Sequence, residues 1–204
     1  MRLEKLSRIL AEDYRGPKTS LSEPDVLKAI ATIGESGRLG RTKLSSTLDL
    51  GVGEIRTLIG RLRENGLIKV SGKGCELTYL GRKNYSELKK VIFWRSEVQA
   101  KSLGIGKHCW AFLIRGGSSK VKMGIEQRDA AIRAGASGVL TVVFRGGKFL
   151  IPVEGTDCES SRPTEPWITI RKSGPEEGDA IIVSGAEDTQ GAERGGWSAS
   201  MTLL

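Results

Sequence analysis

The sequence predicts an α+β protein in two halves: a basic, mostly helical N-terminal domain closed by a β-hairpin, and a mixed α/β C-terminal domain. Three observations carry this. Apolar residues recur at helical spacing from Val52 to Leu62 and give way, across Asn65-Gly66, to short strand-like runs. The net charge of +8 is concentrated in one half, since residues 1–91 hold 18 Lys or Arg against 11 Asp or Glu, while residues 92–204 hold 14 against 13. The 204 residues are enough for two small domains, each with its own core.

The first predicted helix runs from Ser22 to Gly34. Ser22 can cap it, Pro24 is tolerated in its first turn, Glu23 and Asp25 favour the positive end of the helix dipole, and Gly34 can end it. Leu39 to Leu50 reads as a short helix and the turn after it. In the next helix Val52, Ile55, Leu58, Ile59 and Leu62 share a core-facing stripe. The opposite face is Gly53, Thr57 and Gly60, flanked by Arg56 and Arg61. Small residues let a backbone approach a surface closely, and arginines at the edges reach phosphates or the O6 and N7 atoms of guanine. On an isolated helix Arg56, Arg61 and Arg63 would as readily serve to solvate it. Context weighs against that, because Leu67–Val70 and Glu76–Thr78 can pair around a basic tip, Ser71-Gly72-Lys73-Gly74, before a fourth helix from Tyr79 to Val91.

The run Gly53-x-Ile55-Arg56-Thr57-Leu58-Ile59-x-Arg61-Leu62-Arg63-Glu64-Asn65-Gly66-Leu67-Ile68, followed by the hairpin and Leu77-Thr78-Tyr79-Leu80-Gly81, resembles the winged helix-turn-helix of prokaryotic transcription regulators. The whole chain is similar to archaeal two-domain transcriptional regulators whose second domain has no settled function. That resemblance implies sequence-specific binding to double-stranded DNA. Gly53, Arg56, Thr57 and Arg61 would read the major groove, while Arg41, Thr42, Lys43, Lys69 and Lys73 would contact phosphates or the minor groove. It also implies a homodimer on an inverted repeat. The expected layout is an amphipathic helical arm at 1–20, the winged helix-turn-helix at 21–91, a linker at 92–107, and a sensor-like α/β domain at 108–204 for effector binding or oligomerisation.

In the C-terminal half Cys109–Ile114 reads as a buried strand and Gly124–Ala134 as a helix. Gly138–Phe144 and Lys148–Pro152 read as a hairpin across Arg145-Gly146-Gly147. A polar loop from about Glu154 to Pro166 precedes a strand at Asp179–Val183 and a final helix from about Thr189. On the 124–134 helix, Ile125, Arg128, Asp129 and Ile132 share one face and Gln127, Ala130, Ala131 and Ala134 another. The alanine face is expected against the sheet, because burying an Arg-Asp pair without partners is costly. At a pocket rim, Arg128 and Asp129, with Arg115 and Asp188, would bind a small-molecule effector. Asp188 or Thr189 reads more simply as a helix cap. Ala192, Gly195, Gly196 and Ala199 suit close packing on a sheet or on a second subunit.

Cys75, Cys109 and Cys158 lie far apart, and the single histidine, His108, adjoins Cys109, so the two side chains of that strand point to opposite faces. No metal, cofactor or catalytic residue is expected from such a set. Without an apolar run of about 18 residues or a signal-like apolar N-terminus, the expectation is a cytoplasmic protein with no membrane partner. Two other readings stay open: an enzyme domain fused to a DNA-binding module, and a winged helix used for RNA or protein interaction.

Overall fold

The computed structural model describes residues 21–161 and 165–204, so the helical arm expected at 1–20 lies outside the described residues. The chain forms two compact units that divide between Leu88 and Lys89.

The first unit begins with α1 (Glu23–Ser36), whose start is held by Asp25: its carboxylate accepts from the Ser22 amide at 2.8 Å and the Ser22 hydroxyl at 2.6 Å. The helix runs past the expected stop at Gly34 and ends at Gly37, which takes a left-handed φ of 71°. Gly34 instead makes room for a ring, since a Cβ there would lie 2.6 Å from Tyr85. A two-residue strand β1 (Arg38–Leu39) leads into α2 (Arg41–Leu48) and α3 (Val52–Glu64). The hairpin strands β2 (Ile68–Ser71) and β3 (Gly74–Leu77) follow, then α4 (Tyr79–Val91). The three strands form an antiparallel sheet in the order β1-β3-β2. Val26, Leu27, Ile30, Ile33, Leu44, Leu48, Ile55, Leu58 and Leu62 supply its buried apolar side chains.

Thr78 and Gly81 explain why the hairpin is followed by a Leu-Thr-x-x-Gly step. The Thr78 hydroxyl donates to the Gly66 carbonyl at 2.6 Å and accepts from the Gly81 amide at 3.0 Å, so it caps α4 and ties it to the end of α3. Gly81 sits so close to the Leu67 carbonyl oxygen that a Cβ would overlap it.

The second unit is a five-stranded sheet, antiparallel throughout, in the order β4-β5-β8-β6-β7. Its strands are β4 (Ile92–Val98), β5 (His108–Ile114), β6 (Gly138–Arg145), β7 (Lys148–Leu150) and β8 (Ala180–Ala186). The stretch 92–107 is therefore not a linker. Its first seven residues are an edge strand in register with β5, and Val98 and Ala100 lie in the core. Gly146 and Gly147 join β6 to β7 with φ values of 58° and 73°, the two left-handed residues that a tight hairpin of the right twist requires.

Helices α5 (Ile125–Arg133) and α8 (Thr189–Met201) pack together on one face of the sheet. The alanine face of α5 turns inward as expected, with Gln127 and Ala131 fully buried and Arg128 and Asp129 exposed. The small residues of α8 bring its backbone onto the sheet: a Cβ at Gly195 would lie 2.6 Å from the Ser184 hydroxyl, and one at Gly196 would overlap the Phe112 ring. Phe112 meets Trp197 edge to face at 5.6 Å. The other face carries a second apolar layer, in which Phe149 stacks on Trp167 at 5.2 Å between ring centres and packs on Phe144 at 5.1 Å. The short helices α6 (Cys158–Ser161) and α7 (Trp167–Lys172) cover that layer.

Candidate functional site

In the first unit a groove of about 480 Å³ opens between the start of α2, the middle of α3 and the β2–β3 turn. Arg41 and Thr42 line it from the α2 side, Lys73 and Ser71 from the turn, and Ile59 from α3. Local chemistry fixes the turn, since the Ser71 hydroxyl accepts from the Lys73 amide at 3.2 Å. The conformation of Gly74, with φ of 120°, brings the turn against the Leu39 carbonyl, where a Cβ would lie 2.7 Å away. Arg41, Thr42 and Lys73 are exposed. The Arg41 charge also reaches Cys75, where it works against the burial that pushes that thiol above its ordinary range.

Of the residues expected to contact DNA, Arg41, Thr42 and Lys73 come together in this groove. Lys43 is exposed on α2 outside the lining, and its carbonyl accepts the hydroxyls of Ser46 and Thr47, both at 2.9 Å. Lys69 is exposed but pairs with Glu76 at 3.3 Å, and Arg38 pairs with the same carboxylate. Burial works to raise the Glu76 carboxyl, and the hydrogen bonds and charges of Lys69 and Arg38 outweigh it and hold it below its ordinary value.

On α3 the expected faces are rotated. Ile55, Leu58, Arg61 and Leu62 are buried, whereas Val52 is 72% exposed and Ile59 only half-buried. At 3.6 residues per turn this moves the centre of the buried arc by about 50° from the predicted one. Arg61, 8% exposed, is therefore turned away from the surface it was expected to present. The outward stripe is Val52, Gly53, Arg56 and Arg63. Thr57 is half-buried and spends its hydroxyl proton on the Gly53 carbonyl at 3.0 Å. The groove residues Ile59, Ser71 and Gly72 were not singled out from the sequence as site residues; for Ser71 and Gly72 the signal available was their place in the hairpin tip.

The four residues proposed for an effector do not converge. Arg115 bridges buried Asp179 at 2.5 Å and Glu176 at 3.1 Å and lies 3.8 Å above the Phe93 ring. Asp179 also accepts the amides of Gly116 and Glu176, so this cluster ties the end of β5 to the start of β8. Arg128 and Asp129 are exposed on α5, and Asp188 caps α8 by accepting the Gly191 amide at 2.7 Å. None of them lines the hollow that the second unit does contain, a cavity of about 370 Å³ walled by Leu103, Ile105, Leu140, Ile151 and Trp167. His108 is exposed beside Glu97 at 3.4 Å while its neighbour Cys109 is buried. Among the described residues no group of three or more His, Cys, Asp or Glu could hold a metal ion, and no helix is long and apolar enough to cross a membrane.

Both units have recognisable relatives. Residues 105–203 match the family model of a domain of unknown function, DUF4443. Residues 24–83 match that of the PH0730-like N-terminal domain. Among solved structures, the hypothetical protein PH0730 from Pyrococcus horikoshii OT3 is similar with a TM-score of 0.74 and 24% identity, over 90% of this chain and 93% of that one. The likeness is one of fold, and it extends across both units of a two-domain archaeal protein. No curated protein matches the chain. The N-terminal match begins at the second residue of α1 and ends within α4, and so includes every residue of the groove. The C-terminal match begins at Ile105, in the cavity wall, and leaves β4 outside it.

Proposed function

We propose that the first unit is a winged helix that binds double-stranded DNA, and that the protein is a sequence-specific transcriptional regulator. The observation that carries this reading is the groove in which Arg41, Thr42 and Lys73 converge beside the outward stripe of α3. Three exposed donors on a concave, basic surface suit a phosphate backbone, which fixes register without reading sequence. The small surface of Gly53 at the start of α3, with Arg56 one turn on, suits the floor of the major groove. Arg63 replaces Arg61 as the second basic residue of that face. Lys69, engaged with Glu76, is assigned to holding the hairpin and not to the duplex.

The test is fluorescence anisotropy of the full-length protein with duplex from its own upstream region, against scrambled duplex and single-stranded RNA as competitors. The expected result is retention of the specific complex at scrambled-competitor excess, with Arg56→Ala reducing the preference more than the overall affinity. Equal competition by all three polyanions would reduce the groove to a general basic surface.

A further inference from the structure

The cavity of the second unit is closed off from any basic or acidic chemistry. Leu103 and Ile105 reach it from the segment after β4, Leu140 from β6 and Ile151 from the end of β7. Thr156, Cys158 and Ser161 also line it, and no Lys, Arg, Asp, Glu or His does so among the described residues. At about 370 Å³ it falls at the small end of the roughly 300–1,000 Å³ range of ligand pockets. An ion placed there would lose its hydration without gaining a partner, so the lining selects against charge.

Trp167 closes part of the wall. It is 1% exposed, one ring face is taken by Phe149, and its indole N–H has no acceptor among the described residues.

We propose that this cavity binds a small, uncharged and mainly apolar molecule, whose hydrocarbon the aliphatic wall of Leu103, Ile105, Leu140 and Ile151 takes. The site is independent of the DNA-binding reading, because every residue that forms it belongs to the second unit.

The experiment follows the tryptophan indole resonances of the full-length, nitrogen-15-labelled protein during titration with 2-octanone, octanoate or octylammonium. The chain has four tryptophans, and Trp167→Phe assigns the resonance that disappears. The expected result is saturable binding of 2-octanone with a shift of the Trp167 resonance, and at least about tenfold weaker binding of both ions. Leu140→Trp fills the space and abolishes binding, with the unaltered spectrum of the other indoles showing that the fold is retained. An unmoved Trp167 resonance at saturating ketone, octanoate binding as tightly as the ketone, or undiminished binding by Leu140→Trp would each overturn the proposal.

Discussion

The two units each contain a hollow of comparable size, about 480 Å³ in the first and about 370 Å³ in the second, and the two differ in almost every chemical respect. The first is edged by exposed Arg41, Thr42 and Lys73 on turns and a helix start, where backbone and side chains can meet a large polyanion from outside. The second is walled by aliphatic side chains from a segment after an edge strand, two further strands and a buried tryptophan. Volume alone would rank them together. The lining decides what each can take: charge-assisted contacts at a surface in one case, desolvation of an uncharged body in the other.

The largest expected effect comes from emptying the second hollow's wall. Trp167→Ala removes a fully buried ring stacked on Phe149 and is expected to cost about 3–5 kcal/mol by chemical denaturation. Next comes Gly81→Ala in the first unit, where the added methyl overlaps the Leu67 carbonyl and forces α4 away from the end of α3. A loss of about 1–3 kcal/mol, with weakened DNA binding, is expected. Thr78→Ala removes the cap of the same helix and should cost about 1 kcal/mol by the same measurement. These three changes separate structural supports from the surfaces they hold.

The smallest effect concerns pH. Glu76 is held below its ordinary value in the folded chain, so its contribution is fully present above the unfolded carboxyl's value of 4.5 and is lost as pH falls through the lower, folded value. Thermal unfolding of Glu76→Gln compared with the parent should show a gap at pH 6 that closes in the acid range. A gap of constant size would remove the Lys69 and Arg38 pairings from the account.

Much of the fold was legible in the sequence because local rules agreed with tertiary ones. The Ser22 cap, the Asn65-Gly66 break and the Gly146-Gly147 turn each specify backbone geometry on their own, and α4 was placed at Tyr79–Val91 as observed. The phase of α3 was less legible. Periodicity sees apolar residues, and Val52 and Ile59 drew the predicted face toward themselves, whereas the fold buries Arg61. Strand β4 fell within the stretch expected as a linker, and its burial does not follow a simple alternation. Arg95 is half-buried because its guanidinium lies 5.1 Å above the Trp197 ring, a contact that no local pattern announces. The site divides in the same way. Arg41, Thr42 and Lys73 were named from the winged-helix resemblance, while the cavity is assembled from separated segments of ordinary apolar residues and leaves no motif.

The central claim is that the first unit's groove holds a DNA backbone, and the salt dependence of binding tests it most directly. For the full-length protein the slope of log affinity against log salt is expected at about −2.5 to −3, from phosphate contacts by Arg41, Lys43 and Lys73. Arg41→Ala with Lys73→Ala should make it shallower by nearly 2 while leaving thermal stability unchanged, since both side chains are exposed. An unchanged slope in that double variant would contradict the assignment of the groove to DNA.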